Sequence, residues 1–229
     1  MLIPLRDADY LRIRRPGATL AIIALNVCAF LYCIALPTGE RMLVAQAGGM
    51  VPNAIVHGDP NAIVPPALTV LTSMFLHGDI LHLVGNLWFL WVFGQRLEQA
   101  MGSLRFSIFY LLAGLAAAAT QIVADPFSTV PMIGASGAIA GVLGGYVRAF
   151  PRARIRTFVF LIIFFVWSLP AWWVLGAWFL GQFLSATSGQ PGIAWFAHLG
   201  GFVFGLIFAR AFIPRARTQP RAIVYHPAP

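Results

Sequence analysis

The sequence contains no lysine: all fifteen of its basic side chains are arginine, set against only seven acidic ones. Charged residues make up 10% of the chain, too few to cover a soluble domain of 229 residues. The net charge of +8 does not point to nucleic acid, because the arginines are not gathered into one patch but stand at the ends of alternate apolar runs. Cysteine is nearly absent. Cys28 and Cys33 fall within one apolar run, so neither a disulfide framework nor a zinc site follows, and no metal or cofactor is expected. Internal repeats, low-complexity tracts and a second soluble domain are also missing. The continuous apolar runs are also the opposite of the short alternating strands and turns that mark a membrane barrel.

What the chain has instead is apolar length. With 59% hydrophobic residues and several runs of membrane-spanning extent, it reads as an all-α, polytopic membrane protein. Spans are predicted at 18–37, 80–97, 104–123, 136–150, 157–184 and 194–213, giving a six-helix bundle. Residues 1–17 form a cytoplasmic N-terminal segment, 18–213 the membrane domain and 214–229 a cytoplasmic tail. The first span follows arginines but lacks a small-x-small cleavage site, so it is read as a retained helix and not as a signal peptide.

The arginines set the orientation. Arg6, Arg12, Arg14 and Arg15 precede the first span, and Arg96 and Arg105 lie between the second and third. Arg148, Arg152, Arg154 and Arg156 follow the fourth, while Arg210, Arg215, Arg217 and Arg221 follow the sixth. The remaining loops carry only Arg41, together with Glu40, Asp59, Asp79 and Asp125. The positive-inside rule therefore puts both termini in the cytoplasm, as an even number of spans also requires. Arginine without lysine suits a GC-rich bacterial genome and hence a bacterial cytoplasmic membrane.

Polar side chains are costly in a bilayer and mark either function or contact with other protein. In "LHGDILHLVGNLWFLWVFG" (76–94), His82 and Asn86 are four residues apart and share one helix face, with His77 just ahead of them. Ser136 opens the fourth span, and His198 lies in "WFAHLGGFVFG" (195–205). Singly, each has an ordinary explanation as an interfacial ring, an interhelical amide or a hydroxyl bonded to its own backbone. The predicted orientation, however, puts all four in the outer half of the membrane.

Glycine spacing indicates which helices meet. Gly137, Gly141 and Gly145 recur every fourth residue, and His198, Gly201 and Gly205 share a face, so the fourth and sixth spans are expected to pack closely. That packing would bring Ser136 to an imidazole able to activate it as a nucleophile. The fourth span is also short, about 20 Å from Ser136 to the arginines, so Ser136 is expected below the membrane surface with 124–135 dipping in to meet it. His82, Asn86 and the Ser136 backbone N–H are candidate oxyanion donors. No acidic residue is placed to complete a triad, so the expected machinery is a Ser-His dyad.

Three signatures now stand in order: His82-x-x-x-Asn86, Gly134-Ala135-Ser136-Gly137 and Ala197-His198-x-x-Gly201-x-x-x-Gly205. Together they resemble the rhomboid family of intramembrane serine proteases over nearly the whole chain. The soluble-hydrolase elbow Gly-x-Ser-x-Gly is not present, because Ala138 takes its last position. The resemblance implies a rhomboid-like bundle that cleaves transmembrane protein substrates at or near the outer surface, with a preference for small residues at the cut and for helices that unwind easily. It makes Ser136 the nucleophile and His198 the general base and acid, and it gives Glu98, four residues before Gly102, a structural role alongside Gly134, Gly137, Gly141, Gly201 and Gly205.

The chain also departs from the family pattern. A Trp-Arg pair often found before the second span is missing from "PPALTVLTSMFLHG" (65–78), and Ala140 stands where an aromatic often packs on the histidine. Trp195 or Phe202 is expected to orient His198 in its place. Pro170 would kink the fifth span, a helix that either gates substrate or simply faces lipid. The partners implied are membrane-protein substrates and the lipid bilayer, not nucleic acid, and nothing in the sequence specifies an oligomeric state. The alternative is a non-catalytic relative that binds transmembrane helices; such proteins typically lack the serine or the histidine. A transporter would bring mid-membrane charge or an inverted repeat, and neither is present.

Overall fold

The computed structural model describes residues 2–11, 15–160, 164–187 and 194–215. Arg12, Arg14, Arg217 and Arg221 of the charge pattern, and the tail from residue 216, lie outside the described residues. A first strand β1 (Leu2–Asp7) precedes helix α1 (Gly17–Ala35). Three shorter helices follow: α2 (Thr38–Gly48), α3 (Pro52–His57) and α4 (Pro66–Thr72), the last running into a 3-10 turn at Ser73–Phe75. Helix α5 (Ile80–Phe89) continues through a π-helical segment, Leu90–Gly94, into α6 (Gln95–Met101). Then come α7 (Ser103–Ala124), α8 (Ser136–Ala149), strands β2 (Arg154–Phe160) and β3 (Phe164–Pro170), α9 (Ala171–Thr187) and α10 (Trp195–Phe212).

Among the described residues, α1, α7 and α10 are long and apolar enough to cross a membrane. The pair Pro66–Phe75 and Ile80–Met101, bent by 81°, adds a fourth candidate. Leu25 and Leu31 on α1, Leu111 and Leu115 on α7, and Val203 and Ile207 on α10 are all exposed, an aliphatic exterior suited to lipid and not to water. Helix α8, with 14 residues, is shorter than a full span, and the stretch from Ala138 to Tyr146 is buried throughout. It is the central helix of the molecule.

Close backbone approach explains that position. A Cβ added at Gly201 would overlap the carbonyl of Gly137, and one at Gly205 would overlap the carbonyl of Gly141. A Cβ at Gly145 would lie 3.2 Å from the Ala209 Cβ, so α8 and α10 run parallel in a four-residue register. Gly144 meets the Phe202 carbonyl in the same interface. On another side, Gly137 and Gly141 meet Ala117 and Ala113 of α7. Small residues on all three helices let their backbones touch, which is how helices gain contact in lipid without a hydrophobic drive between them.

Residues 157–170 correct the sequence reading. All were expected to begin a helical fifth span, but 157–160 and 164–170 belong to an antiparallel sheet of order β1-β2-β3, so the chain is mostly and not wholly helical. The reason is periodicity. Ile155, Thr157 and Val159 are buried while Arg154 and Arg156 are exposed, an alternation of period two built on β-branched residues that suits a strand. Overall hydrophobicity conceals that pattern. Pro170 does not kink a helix: it is the last residue of β3, paired with Arg154, and the Ala171 N–H immediately donates to the Ala153 carbonyl at 2.8 Å.

Two polar anchors hold the end of the bundle away from Ser136. The buried Glu98 carboxylate accepts from the backbone N–H groups of Ala18 and Thr19 at 2.9 and 2.8 Å, from Thr19 Oγ1 at 2.7 Å and from Ser103 Oγ at 2.6 Å. It therefore ties the start of α1 to the start of α7, placing negative charge where a helix leaves its N–H groups unpaired. Asp7 of β1, also buried, accepts from Arg96 at 2.8 Å and from the Tyr146 hydroxyl. Arg96 also stacks over the Phe150 ring, 4.3 Å from its centroid. Trp88 Nε1 donates to the Pro4 carbonyl at 2.6 Å, so β1 is fastened to the α5–α6 helix as well.

Candidate active site

The segment from Asp125 to Ala135 that leads into α8 is not helical, so its backbone groups need partners elsewhere. Ser128 accepts from the Asn53 N–H at 3.0 Å, Met132 and Met50 exchange bonds of 2.9 and 2.8 Å, and the Gly134 N–H donates to the Ser73 carbonyl at 2.8 Å. Elements between the first two long helices therefore hold the approach to Ser136. Gly134 has φ +124°, a conformation that side-chain-bearing residues rarely adopt. Space is equally restrictive, since a Cβ there would lie 2.8 Å from His82 Nε2 and 3.7 Å from Asn86 Nδ2.

Ser136 is the first residue of α8, and His198 lies in the first turn of α10. The parallel glycine register brings them together: Ser136 Oγ and His198 Nε2 are 2.7 Å apart. The serine is half-buried and the histidine buried. The Ser136 N–H, at the helix start, has no acceptor within its own helix and points a partial positive charge toward this end of the molecule.

The other half of the site comes from α5. Asp79 caps that helix, its carboxylate accepting from the His82 N–H at 2.8 Å. One turn later the buried Asn86 places Nδ2 2.9 Å from His77 Nε2, and the His77 and His82 rings meet edge to face with centroids 5.1 Å apart. An amide nitrogen only donates, so His77 Nε2 is the acceptor, and the second Asn86 N–H remains for another partner. Ser136 and His198 are thus in direct contact, while His82 and Asn86 adjoin the serine through Gly134. Glu98 is at the opposite end of the bundle.

The family model of the Rhomboid domain matches residues 66–215, about two thirds of the chain and every residue of this site. The chain belongs to the rhomboid family. It is therefore an integral multi-pass membrane protein. It is 30% identical over 152 residues to the Saccharomyces cerevisiae protein "Rhomboid protein 1, mitochondrial", covering 62% of this chain and 40% of that one. To "RHOMBOID-like protein 4" of Arabidopsis thaliana it is 28% identical over 182 residues, 77% of this chain and 41% of the other. "Rhomboid protease GluP" of Bacillus subtilis is 43% identical over 75 residues, 33% of this chain and 14% of the other. The chain thus spans about two fifths of the length of the first two relatives.

Two side chains of this rhomboid site escaped the sequence reading. His198 Nδ1 is 3.2 Å from Gln182 Oε1 on α9, and the Trp178 ring lies 6.1 Å from the imidazole. Only acidic residues were considered as a third member, yet Trp178 and Gln182 are four apart in an apolar helix and so share one face, a signal that was available. Trp195 packs edge-on against His198 at 5.9 Å. Phe202, the other expected support, packs instead on Phe179 of α9 at 5.0 Å, one helical turn further along α10 than His198. The buried Ala140 contributes no ring.

Proposed function

We propose that this rhomboid is an intramembrane serine endopeptidase that hydrolyses peptide bonds in or beside the transmembrane helices of other membrane proteins. The observation that carries the reading is the 2.7 Å contact between Ser136 Oγ and His198 Nε2. As Oγ forms its bond to the scissile carbonyl carbon, its proton passes to Nε2. The oxyanion takes hydrogen bonds from the Ser136 N–H, His82 and the free Asn86 N–H, each such donor contributing about 2.7–4 kcal/mol to the transition state. His198 then returns the proton to the leaving amine, and water releases the acyl group by the same route.

The Bacillus subtilis relative named as a rhomboid protease supports this assignment, and the retention of both Ser136 and His198 disfavours a non-catalytic helix binder. In the proposed arrangement α1, α5–α6, α7, α8, α9 and α10 form six spans in a bacterial cytoplasmic membrane. The segments before α1 and after α10 are cytoplasmic, and the site faces outward. Ser136→Ala should abolish cleavage of single-span reporter proteins and labelling by a fluorophosphonate, with folding and insertion unchanged. Cleavage retained by that variant would refute the assignment.

A further inference from the structure

We propose that Gln182 is the positioning residue for His198, its side-chain carbonyl holding the imidazole in the tautomer and orientation that Ser136 requires. The inference deepens the protease reading and rests on it. Gln182 Oε1 is 3.2 Å from His198 Nδ1, and Ser136 Oγ is 2.7 Å from Nε2 on the opposite edge of the same ring. An amide oxygen only accepts, so Nδ1 carries the proton and Nε2 presents a lone pair to the serine hydroxyl. When the hydroxyl proton moves to Nε2, the Nδ1 proton stays in place, because a neutral amide cannot take it. Gln182 therefore supplies orientation and a dipole without a charge.

The setting supports this assignment. Trp178, one turn earlier on α9, lies against the same ring, so a single helix face delivers both contacts. That face is distinct from the outward one, where Trp172, Leu180, Phe183 and Leu184 are exposed. The remaining neighbours of His198 are uncharged Trp195 on α10 and Ser136 on α8, while His82 on α5 is the titratable group that acts on it across the site among the described residues. Among the described residues no carboxylate substitutes for Gln182, whose Oε1 is the acceptor that faces Nδ1.

The test uses the purified full chain in proteoliposomes as wild type, Gln182→Leu and Gln182→Glu. Leucine keeps the bulk and removes the acceptor; glutamate keeps the acceptor and adds charge. Nitrogen NMR of isotopically labelled histidine should find His198 protonated on Nδ1 in the wild type and in the glutamate variant, with mixed tautomers in the leucine variant. Fluorophosphonate labelling should slow roughly 10- to 100-fold in Gln182→Leu, the range by which loss of an orienting hydrogen-bond partner weakens metal-ligating histidines. It should recover in Gln182→Glu, with the midpoint of its pH–rate profile moved upward, because an adjacent carboxylate favours the imidazolium and more alkaline solution is then needed to free the base.

Wild-type His198 protonated on Nε2, or a leucine variant with wild-type rate and pH profile, would overturn the proposal. The tautomer readout does not depend on activity. A wild type that is neither labelled nor cleaves, but whose His198 tautomer responds to Gln182→Leu, would therefore refute the protease reading and leave the hydrogen bond established.

Discussion

Adding one methyl group at Gly201 should disable the site without touching any of its polar atoms. The new Cβ of Gly201→Ala would overlap the Gly137 carbonyl, whereas ordinary contact begins at 3.4 Å, so α8 and α10 must separate at the point where they carry Ser136 and His198. A separation on the order of 1 Å takes the 2.7 Å serine–histidine contact beyond hydrogen-bonding range, and misplacement of that size costs about 100-fold in rate. That factor corresponds to about 2.7 kcal/mol of transition-state stabilisation. The assay is the fluorophosphonate labelling rate together with reporter cleavage in proteoliposomes, scored per folded molecule. Gly176→Ala on α9 is the control, because a Cβ there meets nothing within 4 Å. Alanine generally favours a helix over glycine by about 0.8–1.0 kcal/mol, so the control should be neutral or slightly stabilising. Gly201→Ala labelling at the control's rate would refute the close-packing explanation of the site.

Glu98→Ala should leave two backbone N–H groups and two hydroxyls without their acceptor and destabilise the fold by about 3–5 kcal/mol. Reversible unfolding in detergent measures this, with labelling per folded molecule unchanged; a loss below about 1 kcal/mol would remove Glu98 as the anchor of α1. Gly134→Ala should add about 1–3 kcal/mol of backbone strain at φ +124° and displace His82. Its expected signature is a kcat lowered roughly 100- to 1,000-fold with little change in KM, as for loss of an oxyanion donor. A wild-type kcat would show that His82 and Asn86 need no such fit.

The glycines and the polar side chains were legible early for the same reason: each is exceptional in its local context. A histidine or asparagine in an apolar run and a glycine every fourth residue need no tertiary information to be noticed. Glu98 was noticed too, but three of its four donors could not be read from spacing, because Ala18 and Thr19 lie some eighty positions away. Gln182 went unnoticed because a neutral amide in a helix is unremarkable until the nitrogen it faces is known. The strands at 154–160 and 164–170 went unread because an apolar run long enough to span the bilayer obscured the alternation within it.

By itself, the sequence determined that this is a membrane-embedded helical rhomboid with a serine and a histidine at the starts of two small-residue helices, though it read the strands before α9 as helix. Hydropathy and the cost of burying polar groups act residue by residue, and so they can be read from the chain. Only the tertiary structure decided the residue register in which α8 and α10 meet, that β1 is fastened to the bundle through Asp7, and that α9 turns Gln182 and Trp178 toward His198. Those outcomes depend on which surfaces approach one another. Side-chain direction across an interface is a property of two elements at once, and no single stretch of sequence contains it.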